Sequence, residues 1–111
     1  MIIVGPIPEV GHDVPSVNHV ALITNRDVNI MIAPSITEFL SRNEKILRIL
    51  SRLEYDMPVS IVSPSRVLCD NDICRVVLDD GLVLYRDDNH LSTAGAKYIS
   101  GIFDELFASS P

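Results

Sequence analysis

The sequence predicts an α/β fold with a parallel sheet, and three of its segments carry the prediction. Residues 2–4 and 59–62 are short, apolar and rich in β-branched side chains, which is typical of buried strands. Between them, residues 35–54 have the spacing of an amphipathic helix. Strands joined in this way form a βαβ unit and run parallel. Together with a hairpin and a last helix, the unit amounts to about half of a doubly wound domain.

The helix predicted at 35–54 begins with a capping signal. Ser35 and Glu38 match the S-x-x-E pattern, in which each side chain bonds a backbone N–H group left free at a helix start. From Ile36 to Leu53 the apolar residues gather on one side of the helix. Asn43 falls inside this apolar stripe, either as a buried hydrogen-bonding residue or as a solvated edge position.

The remaining segments are loops and shorter elements. Residues 5–15 contain two glycines and three prolines, which predicts a loop, while residues 16–33 fit neither a helix nor a strand clearly. The apolar runs 75–78 and 82–85 flank an Asp-Gly turn and predict a β-hairpin. Ser92 can cap a last helix, whose apolar face would hold Ile99, Ile102, Phe103, Leu106 and Phe107.

The composition excludes some functions. The chain has 111 residues, 47% of them hydrophobic, and a formal net charge of −6. These values indicate a globular domain and argue against a nucleic-acid partner, because binding phosphates requires clustered Lys and Arg. The longest apolar runs are also far shorter than the roughly 20 residues of a membrane-spanning helix.

Two cysteines, Cys69 and Cys74, stand close together in the segment LCDNDIC. A disulfide, a metal-binding pair and two free thiols are all compatible with this spacing. A structural zinc site usually has four ligands, whereas His12, His19 and His90 lie in separate segments. The spacing is also wider than a redox C-x-x-C motif. The residues therefore favour a disulfide, which would place the chain outside the reducing cytosol.

The most chemically suggestive segment is 85–96, YRDDNHLSTAGA. It places Asp87 three residues before His90, in a loop that precedes a helix. In acyl transfer a histidine accepts the proton of a serine, and a carboxylate orients that histidine. From the spacing alone, however, a solvated loop is the favoured interpretation, with Asp87, Asp88 and Asn89 capping the following turn.

A family resemblance reverses that balance. LYRDDNHLSTAGA resembles the last block of SGNH/GDSL hydrolases, in which D-x-x-H supplies the acid and base of a Ser-His-Asp triad. The order VGPIPEVGHDVP, LCDNDIC and DGLVLYRDDNHLS is similar to the SGNH domain attached to acyltransferase-3 membrane proteins, which O-acylate bacterial cell-surface polysaccharides. The resemblance implies Asp87 as the orienting carboxylate and His90 as the base, in an esterase or transferase site without a metal or organic cofactor. It also supports the Cys69–Cys74 disulfide and a periplasmic or other extracytoplasmic location.

The sequence departs from that family at the nucleophile. It contains no Gly-Asp-Ser block. Ser35 and Ser92 are better explained as helix caps, and Ser63 and Ser65 flank Pro64. None has the strand-to-helix context of a nucleophile. The resemblance therefore implies that residues 1–111 are the C-terminal portion of one SGNH-like domain, which is the C-terminal half of a three-layer, flavodoxin-like fold. We expect this portion to be inactive in isolation.

The expected partners follow from this interpretation. They are an acylated glycan or acyl donor, and the missing N-terminal part of the domain or a second copy of the chain. The chain is expected to be associated with a membrane only if an upstream membrane domain is present. The exposed edge of the first strand predicts a homo-oligomer. A non-catalytic module that binds carbohydrate or a protein partner is the alternative. His12 and Asp13 are expected in a surface loop, and Asp70 and Asp72 in a solvated turn rather than a calcium site.

Overall fold

The computed structural model describes residues 1–102 and 104 of the chain. It contains two strands and six helices within these residues. In chain order they are β1 (Ile2–Val4), α1 (Val14–Ile23), α2 (Val28–Ile32), α3 (Ile36–Arg42), α4 (Glu44–Asp56), β2 (Ser60–Val62), α5 (Ser65–Leu68) and α6 (Thr93–Ile99). The α/β class and the parallel sheet are confirmed.

Strands β1 and β2 form the parallel sheet. Ile3 lies opposite Ile61, and the Gly5 N–H extends the pairing by donating to the Val62 carbonyl at 2.7 Å. The other edge of β1 has no paired strand within the described part of the chain. Ile2 and Val4 are exposed at 41% and 49%, so this strand is covered less than the interior strand of a three-layer fold would be.

The single helix predicted at 35–54 is wrong in one respect, because the chain breaks at Asn43 into α3 and α4. Half of the predicted capping box is present, since the Ser35 hydroxyl accepts the Glu38 N–H at 3.0 Å, whereas the Glu38 side chain accepts no backbone N–H among the described residues. At the break the Asn43 side chain donates to the Phe39 carbonyl at 2.9 Å. An asparagine that bonds nearby backbone in this way competes with helical hydrogen bonding. Asn43 is half-buried, so it is a hydrogen-bonding residue at the helix junction.

The undecided segment 16–33 is helical and belongs to α1 and α2. Pro15 stands in the first turn of α1, where its missing N–H costs no helical bond. Asp27 caps α2 by accepting the N–H groups of Asn29 and Ile30 at 2.9 and 3.4 Å. Because both helices are short and rich in Val, Ile and Asn, their helical periodicity is weak in the sequence.

The predicted hairpin is present only as a short pairing. Val77 and Val83 form one antiparallel bridge, and the Leu84 N–H donates to the Val76 carbonyl at 3.0 Å. Gly81 occupies the turn at a φ of +91°, a conformation that favours glycine. The prediction of two regular strands at 75–78 and 82–85 is therefore wrong, whereas the turn and its register are present.

Side chains from other elements form hydrogen bonds with the backbone of the hairpin segment. The Asn29 amide donates to the Val77 carbonyl at 2.8 Å, and its Oδ1 accepts the Val76 N–H at 2.8 Å. From the other side, the Ser92 hydroxyl donates to the Val83 carbonyl at 2.7 Å. These bonds fix the segment between α2 and α6 without a regular ladder.

The core lies around this segment. Leu84 and Tyr85 are almost fully buried, and they belong to one cluster with Val14, Leu68 and Ile99. Ile99 confirms the first position of the apolar face predicted for the last helix. Ile102 is half-buried, whereas Phe103, Leu106 and Phe107 lie outside the described residues.

Candidate active site

The site loop, residues 86–90, is closed by backbone hydrogen bonding at its base. The Arg86 N–H donates to the His90 carbonyl at 2.9 Å, and Tyr85 pairs with Leu91 in an antiparallel bridge. Ser92 then begins α6, because its hydroxyl accepts the Gly95 N–H at 2.9 Å. The site loop is therefore a short, hydrogen-bonded loop that connects the buried segment ending at Tyr85 to the capped helix α6.

Asp87 and His90 meet inside this loop. The Oδ1 atom of Asp87 accepts the N–H groups of Asn89 and His90 at 2.9 and 2.7 Å. The Oδ2 atom lies 2.9 Å from Nδ1 of the His90 ring. The structure thus brings together the two residues that the sequence singled out. The structure also contains the turn-capping bonds that the solvated-loop interpretation predicted. The Asp87 carboxylate thus caps the turn through Oδ1 and contacts the His90 ring through Oδ2.

These contacts set the protonation of Asp87 and the hydrogen-bonding role of the His90 ring. The N–H groups of Asn89 and His90, followed by the His90 side chain, lower the pKa of Asp87 to about 2. The carboxylate is therefore ionised at neutral pH and can only accept a hydrogen bond. In the neutral imidazole form of His90, Nδ1 then carries the proton of the shared hydrogen bond, and Nε2 can accept another. This is the tautomer that a general base requires.

The imidazole is open to a partner group. The His90 side chain is 58% exposed and that of Asp87 is 37% exposed. Within residues 1–102 and 104, no serine hydroxyl forms a hydrogen bond with His90. The nearby Ser92 hydroxyl donates to the Val83 carbonyl instead. Ser63 lies between β2 and α5, so the expectation that no serine has a strand-to-helix context is wrong for this residue. Asp87 and His90 are thus paired with each other, but no serine of the described residues is hydrogen-bonded to either side chain.

The loop that follows β1 holds the site loop in place. The Asp88 carbonyl accepts the N–H groups of Val10 and Gly11 at 2.9 and 3.3 Å. The buried Tyr85 hydroxyl donates to the Pro8 carbonyl at 2.7 Å, and burial raises the pKa of Tyr85. Sequence reasoning missed this tether. A tyrosine that ends the otherwise aliphatic run 82–85, two residues before Asp87, was the available signal.

His12 and Asp13 lie in the same loop and are exposed, as expected. Asp13 accepts a hydrogen bond from the Ser16 hydroxyl. Neither side chain is hydrogen-bonded to Asp87 or His90 in the part of the chain that the structure describes. The backbone on either side of His12 and Asp13 is hydrogen-bonded to the site loop, but their side chains do not contact the Asp87–His90 pair through hydrogen bonds.

Cys69 and Cys74 form the predicted disulfide. The loop that they close is packed against the start of α3, since the Cys74 N–H donates to the Pro34 carbonyl at 2.8 Å. Asp70 accepts the N–H groups of Asp72 and Ile73 at 2.7 and 2.8 Å, and these bonds lower the pKa of Asp70. Asp70 is thus a turn-forming carboxylate. No group of three or more potential metal ligands occurs among the described residues.

The comparisons with known proteins agree with the motifs. The family model described as SGNH domain (fused to AT3 domains) matches residues 1–105. None of the curated proteins matches the sequence. Across the residues that the structure describes, no helix has both the length and the apolar character needed to cross a membrane.

One solved structure shares the fold. It is the periplasmic domain of the lipopolysaccharide acetyltransferase of Salmonella ser. Paratyphi A, with a TM-score of 0.61 and 18% identity. The match covers 97% of this chain but only 41% of that one. The chain therefore spans less than half of the neighbouring structure.

Proposed function

Because the chain belongs to the family of SGNH domains fused to AT3 domains, we propose that it supplies the acid-base half of a serine O-acyltransferase or esterase site. The observation that carries this proposal is the 2.9 Å contact between Asp87 Oδ2 and His90 Nδ1 in the loop before α6. Asp87 is the orienting carboxylate, and His90 is the general base. The loop is closed by the hydrogen bond between the Arg86 N–H and the His90 carbonyl, and the His90 ring is exposed. A nucleophile from another element could therefore reach the imidazole.

The proposed reaction follows triad chemistry. Nε2 of His90 accepts the proton of a serine hydroxyl while the serine oxygen bonds to the acyl carbon of an ester. The ester's alcohol then leaves with the proton from His90, and an acyl-serine remains. A sugar hydroxyl or water next gives its proton to His90 while its oxygen bonds to the acyl carbon of the acyl-serine. The bond from the acyl carbon to the serine oxygen then breaks, and the serine oxygen takes the proton back from His90. Asp87 stays ionised throughout and stabilises the imidazolium that forms twice.

We infer that the serine comes from outside these residues. The sequence lacks a Gly-Asp-Ser block, and Ser92 is already used as a helix cap. In this proposal, residues 1–111 are the C-terminal portion of one SGNH domain, and an N-terminal portion packs on the open edge of β1. Without that portion, the exposed Ile2 and Val4 favour pairing with a second copy of the chain.

The location and substrate class are proposals of the same kind. The disulfide is stable in an oxidising compartment, and the structural neighbour is a periplasmic domain of a lipopolysaccharide acetyltransferase. Both support an extracytoplasmic domain that acts on acyl esters of a cell-surface polysaccharide. An AT3 membrane domain in the same protein would then be its membrane partner.

The catalytic proposal is tested in two steps. The 111-residue chain should not hydrolyse p-nitrophenyl acetate, whereas the complete gene product should, and its coding sequence should include a Gly-Asp-Ser block. In the complete product His90→Ala should lower kcat by about 10³-fold or more. Asp88→Asn is the matched control, because the Asp88 side chain forms no hydrogen bond among the described residues. A gene product without a nucleophile block, or with activity indifferent to His90, would favour a binding module instead.

Self-association of the isolated chain is tested by sedimentation velocity at low micromolar concentration. We expect a dimer or larger species. Val4→Lys should shift it toward the monomer, because a charge on an edge strand opposes strand addition. Lys97→Ala is a surface control remote in sequence from β1. A wild-type chain that sediments as a monomer would contradict the pairing of β1 with a second copy.

A further inference from the structure

A concave surface lies away from the site loop. It is a cleft of about 310 Å³ between the C-terminal half of α1, the start of α2 and the hairpin turn. Its lining includes Asn18, Leu22 and Arg26 on one side, and Leu78 and Asp79 on the other. The volume is at the lower end of the range found for small-molecule sites, about 300–1,000 Å³.

The floor of this cleft is held rigidly. Asn29, which contributes to the lining, exchanges hydrogen bonds of 2.8 Å with the Val77 carbonyl and the Val76 N–H. Asp27 is also engaged, because it caps α2 through the Asn29 N–H at 2.9 Å. Helix and hairpin are therefore fixed relative to each other. A ligand would meet a preformed surface and would not have to order the surface on binding.

Other polar groups that line the cleft are available to bind a ligand. In the described part of the chain the Asn18 amide forms no hydrogen bond, and the Arg26 guanidinium forms neither a hydrogen bond nor an ion pair. Asp79 makes only a long contact of 3.5 Å with Arg75 and remains 92% exposed. Leu22, which is 72% exposed, adds apolar surface beside these groups. The cleft thus offers donors, acceptors and an apolar wall together.

This mixture points to the ligand chemistry. A polyanion would meet Asp27 and Asp79 beside the single arginine in a chain with a net charge of −6. A sugar ring instead presents hydroxyls that both donate and accept, and C–H groups that pack on aliphatic side chains. We propose that the cleft is a subsite for a pyranose unit of a glycan, with Asn18 and Arg26 donating to its oxygens and Asp79 accepting from its hydroxyls.

The position of the cleft suits an extended substrate. Helix α1 starts at the site loop, where the Val14 N–H donates to the Asp87 carbonyl at 3.4 Å. Leu22 stands eight residues further along α1, or about 12 Å at the helical rise. A glycan held in the cleft would therefore reach the site loop within a few sugar units. This inference deepens the proposed function and rests on its assignment of a glycan substrate.

The test uses the 111-residue chain labelled with ¹⁵N and titrated with the methyl α-glycosides of glucose, galactose, mannose, rhamnose and N-acetylglucosamine. At least one glycoside should shift the amide signals of Asn18, Arg26 and Asp79. Arg26→Ala and Asn18→Ala should each weaken its binding about tenfold, whereas Arg52→Ala, an exposed control on α4, should not. The cleft proposal is overturned if none of the five shifts these signals, or if the shifts persist unchanged in both cleft variants.

The same experiment separates this inference from the catalytic proposal. His90→Ala should leave glycoside binding unchanged, because His90 does not line the cleft. Binding in the cleft by a gene product without acyl transfer would overturn the catalytic proposal alone. Acyl transfer from a protein whose cleft binds none of the glycosides would overturn the subsite alone.

Discussion

Replacing Gly95 by alanine should destabilise the protein, although alanine is the better helix former. Gly95 is buried in α6, which starts directly after the site loop. A Cβ added to it would overlap the Leu84 carbonyl oxygen and lie 2.9 Å from the Leu84 carbonyl carbon. Leu84 is fully buried backbone, so it cannot rotate away as the end of a flexible side chain could.

The size of the destabilisation depends on how α6 must shift to make room for the added Cβ. The Ser92 N–H donates to the Leu84 carbonyl at 2.9 Å, and the Ser92 hydroxyl caps Gly95 at 2.9 Å. Any shift of α6 away from Leu84 therefore strains both bonds. Overpacking costs about 1–3 kcal/mol and loss of a cap about 1 kcal/mol, against a gain of about 1 kcal/mol from helix propensity. We expect a net loss of roughly 1–3 kcal/mol in the free energy of unfolding.

Urea unfolding followed by circular dichroism measures this loss. With a slope of about 1–3 kcal/mol per molar urea, the midpoint of Gly95→Ala should fall by roughly 1 M. Gly101→Ala is the matched control, because a Cβ at Gly101 would meet no atom of residues 1–102 or 104 within 4 Å. That control should be neutral or slightly stabilising. A Gly95→Ala protein as stable as the wild type would refute the close packing of α6 on Leu84.

Three further predictions concern single contacts. Tyr85→Phe leaves the Pro8 carbonyl without its buried donor and should cost about 1–3 kcal/mol of unfolding free energy, measured by urea unfolding. Asn29→Ala removes both bonds that hold Val77 and its neighbour, and should cost about 2 kcal/mol in the same assay. The stabilisation that Asp87 gives through its lowered pKa should be complete above its usual pKa of 3.8 and lost as pH falls through about 2, which carboxylate NMR titration measures.

Matched variants distinguish these effects from general damage. Tyr98→Phe and Asn18→Ala should leave the unfolding free energy unchanged, since neither side chain forms a hydrogen bond among the described residues. Equal losses in Tyr98→Phe and Tyr85→Phe would contradict the role given to the Pro8 contact. For Asp87, a carboxylate that titrates near its usual value would contradict the hydrogen bonds drawn to it.

The features that the sequence predicted correctly depend on neighbours along the chain. The two strands are apolar runs, and the caps at Ser35 and Ser92 are signals of a few residues. The disulfide joins cysteines only five positions apart. The Asp87–His90 pair likewise lies within one loop, so its geometry follows from spacing and local turn bonds once the motif is identified.

The features that were missed depend on distant contacts. The tether from Tyr85 to Pro8 joins residues 77 positions apart, and Asn29 reaches Val77 across 48 positions. Hydrophobic periodicity describes which face of a segment is apolar, but not which remote side chain takes its backbone groups. For this reason the hairpin was predicted as two strands, although Asn29 and Ser92 occupy much of its backbone.

For the proposed two-part site, the topology also indicates at which end of the sheet a nucleophile would lie. In parallel sheets, sites form beyond the carboxyl ends of the strands. Strand β1 ends at Val4, and the loop that follows fastens the site loop through Pro8 and Val10. The Asp87–His90 pair thus belongs to the carboxyl end of β1. A further strand parallel to β1 on its open edge would end at the same level of the sheet. In the proposed two-part site, a serine directly after that strand would lie at the same end of the sheet as His90.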